Sequence, residues 1–150
     1  RTSEEEIRRD ALNAVACAAA MAEQMDRLNR EWRDRSLPTG RIRIGISTGS
    51  VVVATIGSAQ RLKYTTIGNH VNIAARLESY DKLSEGAWMN GRPCRVLLSD
   101  STARYVGEAF SIREVGEVSL KGQDQKTRVY FVQRPACQGE PGSDGEEGGR

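Results

Sequence analysis

Residues 61–79, RLKYTTIGNHVNIAARLES, decide how the rest of the chain is arranged. The first half of this segment is polar and rich in β-branched residues, whereas the second half follows a helical period. Gly68 and Asn69 separate the two halves. We expect Asn69 to begin the helix, because its side chain can accept a hydrogen bond from a free amide of the first turn.

The predicted helix has one apolar and one polar face. The apolar arc holds Val71, Ile73, Ala74, Ala75 and Leu77. On the polar arc Asn72 and Arg76 are four residues apart and therefore neighbours. Such a pair suits a phosphorylated sugar, since the amide can orient a ribose oxygen and the guanidinium can grip phosphate. Spacing alone favours the plainer interpretation, in which both residues belong to a solvated face.

The run TIGSAQRLKYTTIGNHVNIAARLE, residues 55–78, resembles the class III nucleotidyl cyclases, and especially the bacterial adenylate cyclases. The shared pattern, Tyr-Thr-x-Ile-Gly-x-x-Val-Asn-x-Ala-Ala-Arg-Leu, is long and specific. The resemblance extends from the N-terminal helix to about Gln133. It implies that Asn72 positions the ribose and that Arg76 stabilises the pentavalent phosphorus. It also implies that Thr65 reads the purine base, where Thr goes with ATP.

Lys121 and His70 are two further polar residues that could belong to the site, and we expect a role only for Lys121. A Lys before a turn Gly is ordinarily solvated, but the resemblance implies that Lys121, in Leu-Lys-Gly, binds the β- and γ-phosphates. His70 is the only histidine of the chain. We expect it to be an exposed polar residue without a catalytic role.

The composition is that of a soluble globular protein. With 150 residues, 38% of them hydrophobic and 28% charged, the chain is long enough for one domain or part of one. A net charge of +2 gives no reason to expect nucleic acid or a membrane as partner. No apolar run approaches the ~18 residues of a membrane span. Three distant cysteines predict neither a disulfide framework nor a metal site, and favour a cytoplasmic setting.

The N-terminal part predicts one long helix. Ser3 and Glu6 form a capping box, and the helix is expected to run to about Arg33. Its apolar stripe is expected to pack on a sheet. The stripe consists of Ile7, Ala11, Ala14, Ala18, Met21, Met25, Leu28 and Trp32.

Strands are expected on both sides of the central segment. Residues 41–47 and 51–56 are expected to pair as a hairpin, and the second of them is apolar enough to be buried on both faces. A loop at 81–93 precedes a short strand at 95–98 and a helix at 101–106. Three strands then close the sheet, at residues 110–115, 117–120 and 127–132.

The resemblance implies an α+β fold, the ferredoxin-like palm of the cyclases, with helices packed against a mostly antiparallel sheet and the N-terminal strands missing. Residues 1–134 would then be the C-terminal part of a cyclase catalytic domain. Residues 135–150 are expected to form a disordered tail rich in Gly and Glu.

The resemblance also implies two divalent ions, Mg²⁺ or Mn²⁺, held by two aspartates on strands. None of the seven aspartates of this chain has that sequence context, so we expect the ions to be bound outside it. The active site of the family lies between two subunits. A second cyclase subunit, in a homodimer, is therefore the expected partner, and this chain alone is expected to be inactive.

The expected reaction of the complete dimer converts ATP to 3′,5′-cyclic AMP and pyrophosphate. A guanylate cyclase is one alternative, against which Thr65 argues. A non-catalytic, cyclase-like regulatory module that pairs with an active subunit is another. Aspartates encoded upstream would distinguish an enzyme from such a module.

Overall fold

The computed structural model describes residues 3–58, 61–80, 93–119 and 126–135. In chain order its elements are α1 (Glu4–Asp34), β1 (Ile42–Ile46), β2 (Val52–Ser58), β3 (Arg61–Ile67), α2 (Asn69–Glu78), β4 (Cys94–Ser99), α3 (Asp100–Val106), β5 (Phe110–Ser119) and β6 (Lys126–Pro135). The expected α+β class is confirmed. Among the described residues, no helix combines the length and the hydropathy that crossing a bilayer requires.

The long helix α1 begins as its sequence predicts. The Ser3 hydroxyl accepts a hydrogen bond from the Glu6 amide at 3.3 Å, and three glutamates stand in the first turn. Negative charge there is favourable because the amides at a helix start carry partial positive charge. The expected helix end, near Arg33, is confirmed by the last helical residue, Asp34.

The predicted stripe on α1 is buried only in part, since Ala14 is exposed. Ala11 and Ala18 pack with Val15 against the sheet. Further along, Met21 is 48% and Leu28 37% exposed, so the stripe is wrong at these two positions. The buried residue there is Asn29, which binds the backbone of the turn before β1 instead of packing in the core.

The main sheet has four strands in the order β1-β4-β6-β5. β1 pairs with β4 in parallel, whereas β4 with β6 and β6 with β5 are antiparallel. The sheet is therefore mixed, with two antiparallel pairings of three. The predicted hairpin of residues 41–47 with 51–56 is wrong, because β1 pairs with β4 and β2 pairs with β3.

The hairpin of β2 and β3 is a separate two-stranded sheet. Its register runs from the Val52–Ile67 pair to the Ser58–Arg61 pair. The prediction that residues 51–56 are buried on both faces is wrong: Val52 is 66% and Ile56 51% exposed. The hairpin stands apart from the main sheet, and all of its residues except Ala54 and Thr65 are exposed.

β5 is one continuous strand where two were expected, at 110–115 and 117–120. Its pairing with β6 shifts register at Ser111/Ile112 and at Glu114/Gly116. The second irregularity lies where the sequence predicts a break between two strands, and the strand continues through it. The short strand and helix expected at 95–98 and 101–106 are confirmed as β4 and α3. The Ser99 hydroxyl caps α3 by accepting a bond from the Thr102 amide.

Several expectations concern residues outside the described ranges. All of the predicted loop at 81–93 except Pro93 lies there, as does Lys121. Of the expected tail, Pro135 is the last residue of β6, and the rest lies outside the described residues.

Candidate active site

Three of the four predicted site residues lie on one strand–helix unit, β3 followed by α2. Thr65 is half-buried near the end of β3, where it pairs with Ala54 of β2. Asn72 is exposed and Arg76 half-buried, both on α2. Lys121, the fourth, lies outside the described residues, so the structure does not place it beside the others.

The turn between β3 and α2 depends on Gly68, which has φ 159° and ψ 171°. A Cβ atom built on it would lie 3.2 Å from the Ser50 carbonyl oxygen and 3.4 Å from the Val51 Cα. Gly68, and not Asn69, occupies the N-cap position, and no side chain in the described ranges caps the helix. The expectation that the Asn69 side chain caps α2 is therefore wrong, because the helix already includes that residue.

The inner face of α2 is fixed by a small apolar cluster. Ile73 and Leu77 are buried against Leu97 of β4 and Val129 of β6. This packing sets the rotation of the helix about its axis. Asn72 and Arg76 therefore stay on a common face, about 6 Å apart along the axis.

The C-terminal end of α2 is held by two arginines of the sheet. Arg95 of β4 donates to the carbonyl oxygens of Tyr80, at 2.6 Å, and Glu78, at 2.8 Å. Arg43 of β1 pairs with the Glu78 carboxylate at 3.2 Å. Sequence reasoning missed Arg95. The available signal was a charged residue inside an otherwise apolar strand, since buried Arg is rare unless it is partnered.

His70 lies at the other end of α2 and is half-buried, so the expectation that it is exposed is wrong. Its Nδ1 atom stands 3.0 Å from the Ser47 hydroxyl, and its ring lies against Gly49. These contacts tie the first turn of α2 to the segment that follows β1. The absence of a catalytic role for His70 stays a prediction.

The described residues do not fit a divalent metal centre. Among them there is no group of three or more His, Cys, Asp or Glu side chains that could hold an ion. The four described aspartates lie on helices: Asp10, Asp26 and Asp34 on α1, and Asp100 on α3.

The described cysteines do not offer a nucleophile beside the candidate site. Burial raises the pKa of the Cys94 thiol to about 11, and the nearby charge of Asp26 adds to the effect. Cys17 is exposed on α1. What the unit of β3 and α2 offers is a hydroxyl, an amide and a guanidinium, which can hydrogen-bond a nucleoside and neutralise phosphate.

The family profile described as "Adenylate and Guanylate cyclase catalytic domain" matches residues 3–134. Adenylate cyclase 1 of Rhizobium meliloti is 33% identical over 124 residues, which are 83% of this chain and 17% of that protein. The adenylate cyclase of Anabaena cylindrica is 33% identical over 129 residues, covering 79% of this chain and 24% of its own. The chain thus spans less than a quarter of these curated relatives.

Two solved structures agree with this match. The adenylyl cyclase CyaB of P. aeruginosa superposes with a TM-score of 0.70 at 31% identity, covering 83% of this chain and 59% of its own. The guanylyl cyclase Cya2 gives a TM-score of 0.63 at 31% identity, covering 88% and 60%. The chain belongs to the family of adenylate and guanylate cyclase catalytic domains.

Proposed function

We propose that the whole protein converts ATP to 3′,5′-cyclic AMP and pyrophosphate, and that this chain supplies the ribose- and phosphate-binding half of the active site. One observation carries the proposal. Asn72 and Arg76 share a face of α2, whose other face is locked to the sheet by Ile73 and Leu77. The match to the cyclase family supports a nucleoside triphosphate as the substrate that this pair would bind.

In the proposed reaction the ribose 3′-oxygen forms a bond to the α-phosphorus, the bond from that phosphorus to pyrophosphate breaks, and the hydroxyl proton passes to water. Asn72 orients the ribose by hydrogen bonds from its amide. Arg76 faces the α-phosphate and stabilises the negative charge that grows there in the transition state. A fixed charge of this kind is often the largest single catalytic contribution.

Thr65 is proposed to contact the adenine edge, since a hydroxyl can both donate and accept a hydrogen bond. Lys121 is proposed to hold the β- and γ-phosphates as a point charge. ATP is favoured over GTP because the curated relatives at 33% identity are named adenylate cyclases. The guanylate alternative keeps some support, since Cya2 matches at the same 31% identity as CyaB.

Class III cyclases generally use divalent ions, and the described residues do not provide a site for them. We propose that Mg²⁺ or Mn²⁺ is held by residues outside the described part, on a second cyclase subunit. This chain by itself is then expected to be catalytically inactive, and we expect the homodimer of the whole protein to be the active species. Since ATP is the substrate, we place the domain in the cytoplasm.

The test is a complementation assay with ATP or GTP and Mn²⁺. This chain is mixed with a CyaB subunit in which the residues aligned with Asn72 and Arg76 are replaced by Ala. The proposal expects cyclic AMP from the mixture and from neither component alone. More cyclic GMP than cyclic AMP would instead favour the guanylate cyclase alternative. A chain that is folded by circular dichroism, binds the subunit and yields neither product would favour the regulatory module.

A further inference from the structure

β4 divides its side chains between two layers of the fold. Cys94, Val96 and Leu98 pack in the core cluster beneath α1, whereas Leu97 faces α2. Because side chains alternate along a strand, Arg95 shares the face of Leu97. It is only 6% exposed. A guanidinium therefore occupies a place where the strand would ordinarily present an apolar side chain to the helix.

The contacts of Arg95 explain why the charge is tolerated. Its two terminal nitrogens donate to the carbonyl oxygens of Glu78 and Tyr80, at the end of α2 and just beyond it. The last carbonyls of a helix lack partners within the helix and carry partial negative charge. The neighbour of Arg95 in the β1–β4 register, Arg43, binds the Glu78 side chain from the more exposed side.

We infer that Arg95 is a positioning residue for Arg76. Arg76 lies in the last turn of α2, two residues before the carbonyl group that Arg95 holds. Asn72 lies one turn earlier, nearer the end that Gly68 fixes. Loss of Arg95 should therefore loosen the turn that carries Arg76 and leave Asn72 nearly in place. This inference rests on the proposed function and names a further residue on which it depends.

The inference predicts a particular kinetic signature in the complementation assay. Because Arg76 is proposed to act in the transition state, Arg95→Met should lower kcat about tenfold, while KM for ATP changes less than about threefold. Arg95→Lys keeps the charge and at least one hydrogen bond, so its kcat should lie between those of wild type and Arg95→Met. A partial rescue by Lys would show that kcat falls because the hydrogen bonds from Arg95 to the Glu78 and Tyr80 carbonyls are lost, and not because the side chain is smaller.

Val96→Ala is the matched control. Val96 is the next residue of the same strand, is buried, and faces α1 instead of α2. Its truncation should lower the thermal midpoint of the chain but leave kcat within about twofold of wild type. Equal losses of kcat in Arg95→Met and Val96→Ala would overturn the inference, because a general loss of stability would then explain both. An unchanged kcat in Arg95→Met would overturn it as well.

Hydrogen exchange separates this inference from the proposed function, because it requires no catalysis. Amides 75–80 should exchange faster in Arg95→Met than in Val96→Ala, with amides 69–72 alike in the two variants. Equal exchange of amides 75–80 in the two variants would show that Arg95 does not hold the end of α2, whatever the kinetics show. If exchange behaves as expected but the wild-type mixture makes no cyclic nucleotide, the proposed function fails, and with it the link from Arg95 to catalysis.

Discussion

The backbone of Gly45 on β1 lies directly against the carbonyl group of Ala74 on α2. A Cβ atom built on Gly45 would stand 2.2 Å from the Ala74 oxygen and 2.6 Å from the Glu78 amide nitrogen. The helix that carries the candidate site therefore rests on strand backbone, at the one position of β1 that has no side chain. A Gly inside a strand often marks such a close approach.

Gly45→Ala should destabilise the chain by at least about 2 kcal/mol, because the added methyl group meets helix backbone that cannot rotate away. The measurement is the free energy of unfolding by urea. Gly107→Ala is the matched control: Gly107 is helical with φ −60°, and the nearest atoms to its added Cβ lie 3.2 Å and 3.6 Å away. Similar midpoints for the two variants would contradict the close contact.

Asn29 on α1 ties the turn before β1 to the helix. Its side-chain nitrogen donates to the Gly40 carbonyl oxygen at 2.8 Å, and its oxygen accepts from the Gly40 amide at 2.9 Å. Asn29→Leu should cost about 1–3 kcal/mol of stability, since it leaves a partly buried backbone amide and carbonyl without partners. Urea unfolding measures the loss, and Asn13→Leu, at an exposed position of the same helix, should cost much less. An equal cost at both positions would show that the two bonds to Gly40 contribute little.

Cys94 predicts a dependence of stability on alkaline pH. Its pKa is about 11 in the folded chain against an ordinary 9.0, so the unfolded chain loses the thiol proton first. The contribution of the protonated thiol to the free energy of unfolding is fully present below pH 9. It is lost as pH rises towards 11, at no more than about 1.4 kcal/mol per pH unit. Unfolding free energies between pH 8 and 11 should therefore fall more steeply for wild type than for Cys94→Ala. Parallel curves would mean that the thiol is not desolvated.

Signals between near neighbours predicted the ends of α1 correctly, although the cap that they predicted for α2 at Asn69 is wrong. The Ser3 hydroxyl caps α1, as its spacing to Glu6 suggests, and the Ser99 hydroxyl caps α3. Both caps involve residues within three positions along the chain, where sequence order and spatial order coincide. The face of α2 that carries Asn72 and Arg76 was predictable for the same reason.

Pairing between distant segments could not be predicted in this way. Ile42 joins Cys94 in a parallel ladder because α1 and α2 cover the two faces of β1, and no local pattern records that arrangement. The apolar run of β2 predicts burial, but hydrophobicity does not say which element covers a strand, and Val52 and Ile56 are exposed. The position of Arg95 in an apolar strand signals that its charge has partners, but those partners are backbone carbonyls, which no residue type reveals.

The most direct test of the central claim is the rate of cyclic AMP formation in the complementation mixture, with the wild-type chain and with the Asn72→Ala/Arg76→Ala double variant. Asn72 is exposed, and neither side chain belongs to the buried cluster of Ile73 and Leu77, so the variant should stay folded by circular dichroism. We expect cyclic AMP with the wild-type chain, none above background with the variant, and largely unchanged binding of an ATP analogue to the mixture. Turnover that survives the double replacement would contradict the roles assigned to Asn72 and Arg76.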